Sequence, residues 1–177
     1  MTVATPAPPR PAGVVGMPAI SAAPPPTVPL TFLAAAGVGL TAFGVAIAAV
    51  ADRAATAPTA APVVAAVHVG MLGFLVTALL GALHQFCPVV GGRPLRSVGL
   101  ARITAALWIP AVAVLPLAFA TDHPALVSGA GAAALGALIL TAFNLSAALS
   151  SPGRGAPLTG LRWAVGFLVA TAAFGVV

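Results

Sequence analysis

Residues 68–88 read HVGMLGFLVTALLGALHQFCP, an apolar run of membrane length with a histidine near each end. At 100° per residue the run divides into two faces. His68, Leu72, Leu75, Leu79, Ala82 and Phe86 fall on one side, a bulky face headed by a histidine. Gly70, Gly73, Thr77, Gly81 and His84 fall on the other. That second face is a groove of small residues, the usual device by which helices approach closely in lipid. His68 and His84 are 16 residues apart, about 24 Å along a helix axis. They cannot share one metal ion. An iron held by His68 must take any further protein ligand from another helix or another chain.

Outside this run the chain is equally apolar, 60% hydrophobic and 5% charged. A soluble domain carries about 25% charged residues, so the composition implies an integral membrane protein in contact with the lipid bilayer. The net charge of +5 comes from seven arginines against two aspartates, with no lysine and no glutamate. Most of the arginines fall at the ends of apolar runs, where positive charge sets topology. Basic clusters interleaved with aromatic residues are missing, and no nucleic-acid partner is expected. Cys87 is the single cysteine. It precludes an internal disulfide, a zinc site of the CxxC type and covalent heme attachment, and a small buried role is expected for it. The first 29 residues lack the apolar core of a signal peptide.

Residues 1–29 hold nine of the 18 prolines. Proline resists helix and donates no backbone hydrogen bond, so a disordered, Pro-rich cytoplasmic tail is expected, acting as a spacer more than as a PxxP partner site. The transmembrane helical domain follows over 30–177. The hydropathy pattern predicts an all-α, polytopic membrane helix bundle with four to five transmembrane helices, at about 30–51, 63–86, 100–120, 125–149 and 161–177. The first is 22 residues long, about 33 Å, enough for a bilayer core. Gly37, Thr41 and Gly44 give it a small packing face. Pro88, Gly91, Gly92 and Pro94 break the chain after the second helix. Pro110 and Pro116 kink the third and free carbonyls. Gly129, Gly131 and Gly136 weaken the fourth, and its Asn144 is expected to hydrogen-bond between helices. The fifth run, 17 residues, is at the lower limit of a span. The sequence ends inside it, as expected of a fragment or a shortened member of a longer family.

With the N-terminus cytoplasmic, Arg10, Arg93, Arg96, Arg102, Arg154 and Arg162 lie inside and only Arg53 outside, a consistent positive-inside pattern for a plasma-membrane protein. Asp52, Asp122 and His123 then lie outside. His68 sits about a turn and a half below the outer surface, and His84 lies near the inner one. An ionisable residue within a span usually has a partner or a role, and neutral imidazole is a common axial ligand of heme iron. His68 is therefore the sharpest candidate site, with the leucine face as a wall for an apolar macrocycle. The plainer alternative is an interfacial histidine that donates one hydrogen bond. His84, beside Gln85, is a weaker candidate of the same kind. His123 is a loop residue before proline and is assigned no role. Two aspartates in separate loops make no acid/base pair, a phosphate-binding loop with lysine is ruled out, and no Ser-His-acid set can be assembled.

His68, Leu72, Gly73, Phe74, Gly81, Ala82, Gln85 and Pro88 together resemble the second helix of the cytochrome oxidase subunit I-like membrane proteins, relatives of the catalytic subunit of heme-copper oxidases. The resemblance covers about 21 residues well, and the rest of the chain corresponds only to the front part of such a subunit. It implies a cytoplasmic N-terminus and a low-spin heme b bound at the outer end of the second helix by His68. The family's other heme and copper ligands lie in later helices. Here no histidine follows His123, and there is no tyrosine. Position 84, often aromatic in such proteins, is histidine. The resemblance therefore implies heme binding or electron transport without the copper and oxygen-reduction site, and no catalysis by this chain alone. A homo- or hetero-oligomer with other membrane subunits would supply the opposite ligand. The competing reading is a cofactor-free membrane scaffold or accessory subunit.

Overall fold

A computed structural model describes residues 19–152 and 155–175 of the chain. Every regular element among them is helical: α1 Thr27–Ala49, a short α2 Ala51–Thr56, a long α3 Ala61–Gly91, α4 Val98–Ala120, α5 Pro124–Leu149 and α6 Ala156–Gly175. Four of them, α1, α3, α4 and α5, are long and apolar enough to cross a membrane. The protein is an all-α, multi-pass membrane bundle. Its outward surface carries Leu33, Val45, Leu75, Phe86, Leu117, Ile139 and Phe167, an apolar coat that lipid solvates and water does not.

The chain runs up and down, and short connections keep sequential helices adjacent. α4 packs along α5, α3 packs on both α1 and α4, and α6 closes against α5 and the lower part of α3. Two buried clusters fill the interior. The central one joins Phe32, Leu80, Trp108, Val112, Ala137 and Leu138. The second, toward the arginine-bearing end, joins Val28, Leu83, Cys87, Ala101, Leu145 and Val165. Cys87 is fully buried there, the small interior role its sequence context suggested.

The arginine-bearing end is tied together by polar contacts. Arg96 donates from Nε to Ser146 Oγ at 2.8 Å and stacks over Phe143. Arg93 donates to Ser150 Oγ, and Arg162 donates to the carbonyls of Leu149 and Ser151. Asn144 bonds between elements as expected. Its Oδ1 accepts the Ser97 N–H at 2.9 Å, and Ser97 in turn caps the start of α4 through Leu100 N–H. Asp52 and Arg53 of α2, and Asp122 and His123 of the α4–α5 turn, lie at the other end. Arg10 and Arg154, and the tail expectation over residues 1–18, lie outside the described residues.

Several boundaries differ from the sequence expectation for identifiable reasons. The described end of the tail is anchored: Ala19 N–H donates to Val89 O at 3.0 Å, and Ile20–Ala22 form one 3-10 turn. α1 starts at Thr27, with Pro29 in its first turn, where the missing N–H has no helical partner to lose. α3 does not stop at residue 86. It runs through Pro88 to Gly91 and ends on Gly92, whose φ of 66° supplies the left-handed cap that glycine adopts freely. Likewise α6 begins at Ala156, five residues before the expected start at 161. Pro157 again occupies a first-turn position. The packing face of α1 is also not Gly37, Thr41 and Gly44, which point outward. It is Phe32, Ala36, Gly39 and Phe43 that meet α3. A Cβ on Gly39 would run into the Gly73 carbonyl, whereas one on Gly37 or Gly44 would meet nothing within 4 Å.

Candidate functional site

The middle of α3 is not α-helical. Val69–Val76 winds as a π-helix between α-helical Ala61–His68 and Thr77–Gly91. Such segments close i→i+5 hydrogen bonds, are uncommon and often mark functional sites. Two glycines, Gly70 and Gly73, weaken the regular helix here and let α1 press in. The Phe43 ring lies where a Gly70 Cβ would project. At the end of the π segment the Thr77 hydroxyl donates to Leu72 O, five residues back, at 2.7 Å. The same hydroxyl accepts the indole N–H of Trp108 from α4 at 2.8 Å. Both Thr77 and Trp108 are buried.

The wider winding turns the helix face. The sequence places His68, Leu72, Leu75 and Leu79 on one stripe. In the structure Leu75 and Leu79 are exposed on the lipid side, while His68 and Leu72 stay turned to the interior. The continuous leucine wall expected beside His68 is therefore broken after Leu72. Its place is taken by residues from other helices. His68, Leu72 and Val76 line a cavity of about 430 Å³ together with Trp108, Leu115 and Phe119 of α4, Ser128, Gly131 and Leu138 of α5, and Leu168 and Thr171 of α6. Trp108, held by Thr77, forms its floor toward the membrane centre. This volume is within the range of small-molecule and cofactor sites, about 300–1,000 Å³.

His68 is half-buried at this cavity. Its Nδ1 lies 2.8 Å from Val64 O. A carbonyl only accepts, so Nδ1 carries the proton and Nε2 keeps its lone pair. Its ring packs on Phe119 at a centroid distance of 4.7 Å and a 46° tilt. The neutral ring in this tautomer has Nε2 as its free nitrogen, one of the two through which histidine binds metals. The lining is apolar apart from the His68 imidazole and two hydroxyls, Ser128 and Thr171, so His68 offers its one side-chain nitrogen able to ligate a metal. Among the described residues no arginine lines this cavity to pair with the carboxylates of a heme. Among the described residues no three His, Cys, Asp or Glu side chains come together as a metal-holding group.

His84 has a different setting from His68. It is fully buried on α3, its Nδ1 bonded to Leu80 O at 2.8 Å, and its ring stacks on Phe32 of α1 at 5.1 Å and 15°. Its Nε2 has no hydrogen-bond partner, as is true of Thr104 Oγ1 and Asn144 Nδ2, two other buried polar atoms of the bundle. Four intervening turns of α3 separate it from His68, and it does not line the His68 cavity. His123 lies exposed at the start of α5. Sequence reasoning did not single out Trp108, Thr77 as its partner, or Phe119. The available signal was chemical: an indole N–H in an apolar helix needs an acceptor, and Thr77 is the one hydroxyl in the 68–88 run. No protein-family model, no curated protein and no solved structure matches this chain.

Proposed function

We propose that this integral membrane protein binds heme b in the α3–α6 cavity, with His68 Nε2 as axial ligand, and serves electron transport as part of a larger membrane assembly. The observation that carries the reading is the Nδ1–Val64 O hydrogen bond, which leaves Nε2 as an acceptor on a ring that lines the cavity. Residues resembling the second helix of cytochrome oxidase subunit I-like proteins point the same way. A bound heme supplies one-electron chemistry. The chain's own residues bind and orient it: His68 ligates, Trp108 and Phe119 bound the cavity, and the leucines exclude water. Any second protein ligand to the iron would have to come from a partner chain. His84, sealed against Phe32, is a packing residue in this account. On this reading the N-terminus lies in the cytoplasm and the protein in the plasma membrane; the orientation is supported by Arg93, Arg96, Arg102 and Arg162 at one end and both aspartates at the other.

The test is titration of the purified protein with hemin, read by absorption, beside Gly131→Leu. Gly131 lines the cavity, and a Cβ there meets nothing within 4 Å, so leucine fills the space without a clash at the backbone. Equimolar uptake by the wild type and none by G131L supports the reading. Equal uptake by both contradicts it.

A cofactor-free scaffold is the second reading. It is favoured by the Phe119 ring packed on His68 and by the absence of a cationic side chain in the cavity lining. On that reading the His68 hydrogen bond is helix-internal satisfaction and the cavity holds lipid.

A further inference from the structure

A second recess, unrelated to His68, opens on the lipid side between α1 and α4 at the arginine-bearing end. It encloses about 480 Å³, with Phe32, Ala105, Ile109 and Pro110 as its apolar walls. Its mouth is polar. Thr27 and Thr31 line it from the first turns of α1, and Arg102 lines it from the second turn of α4. Arg102 is exposed and makes no hydrogen bond or ion pair with any described residue, unlike Arg93, Arg96 and Arg162 at the same end, which are all engaged. No acidic residue lies at this end, since Asp52 and Asp122 are in the opposite turns. An arginine one turn into a span extends its head to the interface and keeps its stem along the apolar wall.

We infer that this α1–α4 recess is a binding site for one anionic phospholipid, with its phosphate paired to Arg102 and one acyl chain lying along Ala106, Ile109 and Pro110. Three features select that occupant. The walls are apolar and face the bilayer, so an acyl chain is the available filling. Arg102, the one cation lining the mouth among the described residues, lies at the end where the headgroups of that leaflet lie. Arginine pairs with phosphate oxygens through two parallel N–H donors, and the Thr27 and Thr31 hydroxyls line the same mouth, the Thr31 O–H already donated to Thr27 O at 2.7 Å. The threonines discriminate little, because they serve any headgroup. The charge of Arg102 is what selects an anionic lipid over a zwitterionic one.

Native mass spectrometry of the full-length protein, transferred from nanodiscs of equal phosphatidylglycerol and phosphatidylcholine, tests this directly. The wild type should retain phosphatidylglycerol in preference. In Arg102→Gln the preference should fall about fivefold, the factor that corresponds to the ~1 kcal/mol a basic side chain contributes near an anionic leaflet. Arg93→Gln, at the same end but hydrogen-bonded to Ser150, should keep the preference, and Arg102→Lys should restore most of it. Excess inorganic phosphate should compete poorly, since it lacks the chain. Equal retention of both lipids by the wild type overturns the inference. So does an unchanged preference in R102Q, an equal loss in R93Q, or displacement by phosphate alone.

Discussion

Trp108 and Thr77, 31 residues apart in sequence, meet in the middle of the bundle, where the indole N–H donates to the threonine hydroxyl at 2.8 Å. That hydroxyl in turn donates a hydrogen bond to Leu72 O. One side chain thus pins α4 to α3 at the point where the π segment returns to α-helix. Trp108→Phe keeps most of the packing and loses the bond. Hydrogen bonds between membrane helices contribute about 0.6 kcal/mol on average and about 1.7 at most, so a loss in that range is expected. Trp108→Ala leaves a cavity and should cost about 3–5 kcal/mol. Thermal unfolding in detergent should rank wild type above W108F and W108F well above W108A. Equal stability of W108F and W108A would contradict the pin.

Gly39 and Gly37 make a second, sharper comparison. Gly39 lies against the backbone of Gly73, while Gly37 faces lipid. Gly39→Val should force α1 away from the π segment at a cost of about 1–3 kcal/mol. Gly37→Val should change stability by less than about 0.5 kcal/mol. Apparent melting temperatures of the two variants in one detergent decide it. Similar losses for both would mean that α1 packs through another face.

Orientation can be read from labelling, because Cys87 is the chain's one cysteine and is fully buried. A membrane-impermeant maleimide added to intact cells should leave the wild type unlabelled. In a Cys87→Ala background, Thr59→Cys, in the turn between α2 and α3, should label from outside. Gly155→Cys, before α6, should label only after permeabilisation. The reverse pattern would overturn the cytoplasmic N-terminus.

Four of the spans, their order and the placement of Arg93, Arg96, Arg102 and Arg162 at one end were legible in the sequence, because hydropathy and charge are one-dimensional signals. The faces were not. In lipid the outside of a helix is as apolar as the inside, so a stripe of leucines does not say which way it points. Leu75 and Leu79 were expected beside His68 and instead face outward, since the π winding of Val69–Val76 shifts everything after it. The same blindness exchanged Gly37 and Gly44 for Gly39. Proline positions misled for a local reason: Pro29 and Pro157 sit in first turns, and Pro88 is carried by a helix that ends only at Gly92. His68 was identifiable as a residue on the second span. Its cavity required Trp108, Phe119 and Gly131, brought in by two other helices.

The two histidines of α3 separate ligation from packing. His84→Ala removes the ring stacked on Phe32 and should lower stability while leaving any heme signal per folded molecule unchanged. His68→Ala should do the opposite, with little effect on unfolding and complete loss of the signal. A variant pair that behaves alike in both assays would show that neither ring has the role assigned to it.

The most direct measurement is a dithionite-reduced minus oxidised visible spectrum of the detergent-purified protein, expressed with heme supplied, beside His68→Ala. The account predicts a b-type signal in the wild type that disappears in H68A while the variant remains folded. A flat wild-type spectrum in correctly folded protein, or a signal that survives H68A, would contradict heme ligation by His68.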